Sequence, residues 1–238
     1  MARTINVQDF AQKRSAILDA AQRLVYTKGY ERMTIQEILQ EVQISSGAFY
    51  HYFESKPAVL EAFIERIQQE SEVSLLPIVR NPRLSAIEKL QGFFTTLDRL
   101  RLEQKASVVA LLRVWYTDDN AIVRQKVDEA VFKQRAPLLI EVVRQGVKEG
   151  VFTTGYAEQA GEIILLLAQG MGNSHARLLL SFAQAGDERS CIEEIVTTHT
   201  AFMDAIERVL GMPSRSLHRT KADVVKVWLA ALQGNAPA

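Results

Sequence analysis

Thr34-Ile35-Gln36-Glu37-Ile38-Leu39-Gln40-Glu41-Val42-Gln43-Ile44-Ser45-Ser46-Gly47-Ala48-Phe49-Tyr50-His51-Tyr52-Phe53-Glu54-Ser55-Lys56 is the stretch that decides the fold. Thr34 with Glu37 three residues on has the capping-box spacing, at which each side chain reaches the other's backbone amide, and predicts a short helix to about Glu41. Ser45 predicts the start of a second helix running to about Tyr52, and Ser55 with Pro57 in the first turn predicts the start of a third. Only Val42 to Ile44 separate the first two. That is the outline of a helix-turn-helix, whose second helix lies in the major groove while the first crosses the DNA backbone. Many helical hairpins have this outline without touching DNA, so the residue types matter. Ser45, Ser46, Tyr50, His51 and, just beyond, Lys56 offer donors for phosphate oxygens, and Gly47 and Ala48 leave room for close approach to bases or backbone. The free amides at the helix starts near Thr34 and Ser45 are natural phosphate sites. Phe49 and Phe53, four residues apart, share one helix face and belong to the core.

Outward from this stretch, apolar residues recur at three- and four-residue spacings almost everywhere, and no long apolar/polar alternation occurs, so the chain reads as all-α. A first helix is expected after Asp9, with Ile17, Ala20, Ala21 and Leu24 on one face and Gly29 at its end. The helix that starts at Ser55 carries Leu60, Phe63, Ile64 and Ile67 and is bounded by Pro77 and Pro82. Further helices are expected at about 85–103, 105–116, 120–149, 156–185 and 188–210, with Pro137 kinking or dividing the third of these. After Met212-Pro213-Ser214, Thr220 and Asp223 are candidate caps of a last helix bearing Val224, Val225, Trp228, Leu229 and Leu232, which folds back onto the body. The expected organisation is a helix-turn-helix domain at 1–56, a helical domain at 57–211 and a C-terminal extension with a short helix at 212–238.

Composition narrows the function classes. The 238 residues are 47% hydrophobic, ample for a buried core, and carry 28 basic and 28 acidic side chains, so the net charge announces neither nucleic acid nor membrane. Residues 1–56 hold seven basic and six acidic side chains, which confines DNA affinity to a local patch that Arg3, Lys13 and Arg14 are placed to extend. The single cysteine, Cys191, forms no intrachain disulfide, the polar start lacks an apolar signal stretch, and no apolar run approaches the ~18 residues of a membrane span. A cytoplasmic protein without a membrane partner is expected. His51, His175, His199 and His218 are scattered, Cys191 and His199 stand two helical turns apart, and no phosphate-binding glycine loop or metal-ligand spacing occurs, so no enzyme, cofactor or metal site is expected. A helical small-molecule carrier or scaffold without DNA binding is the alternative to a DNA reader.

Gly29-Tyr30, Thr34-Ile35, Glu37-Ile38, the run Ile44 to Phe53 and Lys56 resemble the DNA-binding pattern of the TetR-type bacterial transcriptional regulators. The resemblance covers about the first sixty residues, and the rest matches in helix number and length. This chain has Val42 and Gln43 where that family usually has alanine and glycine, and Pro57 replaces a common acidic residue. The resemblance implies a recognition surface of Ser45, Ser46, Gly47, Ala48, Tyr50 and His51 with Tyr52 beside it, and Thr34 and Lys56 on phosphates. It implies an N-terminal three-helix DNA-binding domain and a larger C-terminal helical domain for ligand binding and dimerisation, acting as a repressor released by a small-molecule effector. One short reading helix spans few base pairs, so a homodimer on a pseudo-palindromic double-stranded operator is expected. Its interface candidates are Ile163, Leu166, Leu167, Leu178 and Leu179 on one long helix and Ile192, Ile195, Val196, Phe202, Ile206 and Val209 on the next. The effector candidates are Phe94, Arg113, Trp115, Tyr116, Met171, Asn173 and His175, which set polar or aromatic groups among apolar runs.

Overall fold

The computed structural model describes residues 7–234. Within them the chain forms ten α-helices and no strand: α1 (Val7–Lys28), α2 (Ile35–Val42), α3 (Ser46–Phe49), α4 (Lys56–Val79), α5 (Ala86–Glu103), α6 (Lys105–Trp115), α7 (Ala121–Lys148), α8 (Ala157–Ala185), α9 (Glu188–Leu210) and α10 (Ala222–Gly234), with a 3-10 turn at Asp118–Asn120 before α7. Two compact units result. The smaller comprises the chain up to Gln69 together with Arg113–Asp128, and the larger comprises Glu70–Leu112 and everything from Glu129 onward. This division differs from a boundary at 56/57. α4, α6 and α7 each contribute residues to both units, because long helices do not end where a compact unit ends.

The smaller unit closes around Ile17, Leu18, Ala21 and Val25 of α1, Ile38 and Leu39 of α2, Phe49 and Phe53, and Val59, Leu60 and Phe63 of α4, all buried. These positions follow the helical repeat, so each helix turns one apolar stripe inward. Gly29 ends α1 with φ +90°, and a Cβ there would lie 2.7 Å from the Asp119 side chain. The turn that follows α2 is made without glycine: Gln43 takes φ 55° and ψ 48° and its N–H bonds back to the Leu39 carbonyl. A left-handed non-glycine residue costs about 1 kcal/mol, which the burial of Ile38, Leu39 and Phe49 on either side outweighs.

The larger unit has one core that includes Leu90, Phe93 and Leu97 of α5, Leu139 and Val143 of α7, Ile164 of α8 and Ile206 of α9. A second cluster joins Val109 of α6, Leu179 and Phe182 of α8 and Ile195 of α9 to Val225, Leu229 and Leu232 of α10. The chain between α9 and α10 is anchored to Glu207, a carboxylate only 2% exposed, which accepts from the amides of Arg215 (2.9 Å) and Leu217 (2.8 Å) and from Arg219. The C-terminal segment is therefore part of this unit. Pro77 does not end its helix and Pro137 does not divide its own. Pro77 lies inside the last turn of α4, which continues to Val79, and α7 runs unbroken through Pro137. Pro137 and Lys133, whose carbonyl loses its partner, are both solvent-facing, so water can take the place of the missing amide.

Candidate nucleic-acid interface and effector site

The reading surface is built from the inside out. Phe49 is completely buried and Phe53 nearly so, their rings 6.1 Å apart, and together they fix α3 to the core. With that face committed, Ser45, Ser46, Gly47, Tyr50 and His51 are all exposed, Tyr50 by 53%. Ser45 caps α3 by accepting from the Ala48 amide at 3.2 Å, leaving its own hydroxyl proton available. A Cβ on Gly47 would meet nothing within 4 Å. Helix α3 is shorter than expected from 45–52, because after Tyr50 the bonds tighten to His51 N–H on Ala48 O and Tyr52 N–H on Phe49 O. Tyr52 turns back to stack 4.8 Å from Phe10 on α1.

Two expected phosphate contacts have intramolecular duties. Thr34 completes the capping box of α2: its hydroxyl accepts from Glu37 N–H at 3.3 Å and donates to the Glu37 carboxylate at 2.8 Å, while its own amide donates to that carboxylate at 2.9 Å. Hydrogen bonds from the Lys28 and Thr34 side chains and the Thr34 amide push the Glu37 carboxyl down to about 2, and Lys28 pairs with that carboxylate at the start of α2. Lys56 donates to the Glu31 carbonyl at 3.1 Å and sits 4.4 Å over the Tyr30 ring. Of the basic residues expected to extend the patch, Lys13 is exposed, Arg14 lies 5.0 Å over the Phe53 ring, and Arg3 lies outside the described residues.

Sequence reasoning missed Asn120. Its side chain is completely buried in the smaller unit, where Oδ1 accepts from the Tyr30 amide at 2.8 Å and Nδ2 donates to the carbonyls of Val114 (3.2 Å) and Val25 (3.4 Å). Beside it Glu31 N–H bonds to Asp119 O at 2.9 Å and Arg32 pairs with the Asp119 carboxylate at 2.7 Å. A short polar run, Asp118-Asp119-Asn120, thus locks the 113–128 segment to the end of α1. An Asx-rich helix start reads from sequence as a solvent-facing cap, so nothing flagged it.

The effector candidates do not come together in one unit. Arg113, Trp115 and Tyr116 belong to the smaller unit, where Arg124 donates to the Trp115 carbonyl and lies 5.7 Å over the Tyr116 ring. Phe94, Met171, Asn173 and His175 belong to the larger one, with Phe94 and Met171 inside its main core. His175 stacks on His199 of α9 at 5.7 Å and 14°. Cys191 is buried, its thiol donates to Leu178 O, and burial pushes its pKa up, the reverse of an activated nucleophile. The interface candidates divide by exposure. Ile163 and Leu166 are exposed, Leu167, Leu178, Ile192, Val196, Phe202 and Val209 are half-buried, but Leu179, Ile195 and Ile206 are buried within the subunit and have no surface to offer a partner. On a helix packed from two sides, apolar spacing alone does not separate these faces.

A helix-turn-helix held on a three-helix core, followed by a larger helical unit, defines a class of DNA-binding regulators. Residues 17–63 match the family of bacterial regulatory proteins of the tetR type, and residues 111–173 match the tetracyclin repressor-like C-terminal domain. Over these residues the chain is similar to the TetR-type transcriptional regulators. It is 26% identical over 168 residues to the transcriptional repressor BepR of Brucella suis, covering 68% of this chain and 80% of BepR. It is 37% identical over 67 residues to the regulator YuxN of Bacillus subtilis, covering 28% of this chain and 23% of YuxN. The chain spans less than a third of the length of YuxN and of two further curated relatives that it matches strongly. In fold it resembles SmeT, solved with triclosan, at a TM-score of 0.64 and 16% identity, covering 89% of this chain and 97% of SmeT. No helix among the described residues is long and apolar enough to cross a membrane.

Proposed function

We propose that this chain is a transcriptional repressor that binds a pseudo-palindromic DNA operator as a homodimer and leaves it when a small molecule occupies its larger unit. The observation that carries the reading is the division of labour around α3. Phe49 and Phe53 are spent on the core, while Ser45, Ser46, Gly47 and His51 face outward and Tyr50, one edge of its ring against Phe49, keeps 53% of its surface exposed. Ser45, Ser46, Tyr50 and His51 supply hydrogen bonds to bases and phosphates, Gly47 and Ala48 permit close approach, and Tyr52, Thr34 and Lys56 hold the surface in position. BepR is a repressor, and SmeT, a repressor of a multidrug efflux pump, forms a complex with triclosan, which supports a ligand-released mechanism here.

Release requires a path between units. α4 runs from Lys56 at the reader into the larger unit, and α6 and α7 run in and out of it around the 113–128 segment. A ligand that fits only one arrangement of the larger unit shifts these helices, and the Asn120 lock carries the shift to Tyr30 and α1. Nearly complete switching takes a difference of about 5.5 kcal/mol in ligand affinity between the two states. The test is selection of genomic fragments by the purified protein. Enrichment of a two-fold symmetric sequence, lost in the Tyr50→Ala/His51→Ala variant with its melting temperature intact, is the expected result. Recovery of unrelated fragments, or unchanged selection by the variant, overturns the reading.

A further inference from the structure

The interior of the larger unit holds polar atoms with no hydrogen-bond partner. Arg135 Nε on α7 and Gln169 Nε2 and His175 Nε2 on α8 are shut off from solvent and bonded to nothing. Protein interiors leave few such groups, because each is destabilising until a partner reaches it. Arg219 gives the contrast: its Nε is also unbonded, but its guanidinium is neutralised by Asp204 and Glu207. Arg135 has no carboxylate, and the one charge that acts on it, Arg101 of α5, has the same sign.

Arg135 and His175 share one locality. Arg101 acts electrostatically on both Arg135 and His175, and His175 stacks on His199. Helical spacing sets each of them one turn from a residue packed in the main core: Leu97 before Arg101, Phe132 before Arg135, Met171 before His175 and Phe202 after His199. These groups therefore continue an apolar lining. The neighbouring carboxylate, Asp98, pairs with Arg101 at 3.3 Å and acts on His199. Arg101 pairs with Asp98, whereas no ion pair to a carboxylate is made by Arg135 among the described residues. Burial pushes Arg135 down only to about 10, so it stays cationic at neutral pH, and it pushes His175 down to about 4, so that imidazole is neutral there.

We propose that Arg135 and His175 form the polar end of the effector site, and that the effector is a small organic monocarboxylate whose carboxylate lies on Arg135 and whose apolar part lies among Leu97, Phe132 and Met171. The planar guanidinium matches a carboxylate with two parallel bonds, one negative charge balances the site, and the apolar lining suits a hydrocarbon tail or ring. A doubly charged phosphate would leave one charge unpaired. The assignment rests on the reading that the larger unit binds the effector.

The test uses the full-length protein with benzoate and octanoate as probes, against benzamide, octanamide, benzylamine and octylamine, followed by thermal unfolding and calorimetric titration. The carboxylates are expected to raise the melting temperature while the matched amides and amines do not. Arg135→Leu is expected to weaken carboxylate binding by about tenfold or more, and to raise the melting temperature of the free protein by removing an unpaired buried charge. Arg135→Lys, which keeps the charge without the planar fork, falls between the two in binding. No response to either carboxylate, an equal response to the amines, or a free Arg135→Leu protein that melts lower than the parent with unchanged binding overturns the proposal. Operator release is measured separately. If amines or neutral molecules free the operator, the carboxylate assignment falls and the repressor reading stands. If carboxylates bind through Arg135 but the operator stays occupied, the site stands and release by effector falls.

Discussion

At the residue scale, Gly47 separates a reading role from a folding one. It lies inside α3, where alanine is a better helix former by about 1 kcal/mol, and the space around its missing Cβ is open. Gly47→Ala should therefore hold or raise the melting temperature. If DNA backbone or base edges come close at this point, the same methyl should weaken operator binding by about tenfold or more; unchanged binding would remove Gly47 from the interface. His175 makes a prediction in pH. Burial first, then His199 and Arg101, hold its folded pKa at about 4, against the ordinary 6.5 of the unfolded chain. The unfolded state takes up the proton first, so stability is intact above pH 6.5 and falls as pH drops from there toward about 4. The slope is at most about 1.4 kcal/mol per pH unit for one proton. Denaturant titrations across that window should give a flatter profile for His175→Gln than for the parent.

At the scale of elements, the connection through Asn120 matters more than any single helix. Asn120→Ala leaves the Tyr30 amide and the Val25 and Val114 carbonyls without their buried partner, which should cost about 2–3 kcal/mol. Differential scanning calorimetry should locate that loss in the transition of the smaller unit. The same variant should need more effector, or show less release, because the lock no longer transmits the shift; normal release by a destabilised variant would assign transmission to α4 alone. The capping box at Thr34, the cap at Ser45 and the core positions Phe49 and Phe53 were legible in the sequence, because each follows from contacts within four residues. Asn120 was not, since its partners lie six to ninety-five residues away. The duties of Thr34 and Lys56 escaped for a related reason. Their residue types suit phosphate, and only the positions of Glu37 and of the Tyr30 ring bring in these additional partners.

At the scale of the whole molecule, a short reading helix spans few base pairs, and the proposed homodimer makes a prediction at the surface of the larger unit. Ile163 and Leu166 stand three residues apart on α8, exposed by 42% and 55%, although Ile164, Leu165, Leu179 and Phe182 of that helix enter two apolar clusters. Large aliphatic side chains left in solvent at helical spacing suit a partner's matching face, and a two-fold dimer would bury the same pair from both subunits. Leu166→Glu tests this outside the core, because Leu166 is more than half exposed and belongs to neither apolar cluster. Sedimentation should show a dimer for the parent and a monomer for the variant at micromolar concentration, with closely similar melting of the monomer's helices. Operator affinity then falls by roughly a hundredfold, since the two half-sites lose the effective concentration that linkage provides, while binding to an isolated half-site is unchanged. A variant that stays dimeric would move the interface off this face of α8. One that becomes monomeric yet keeps full operator affinity would show that each reader acts alone.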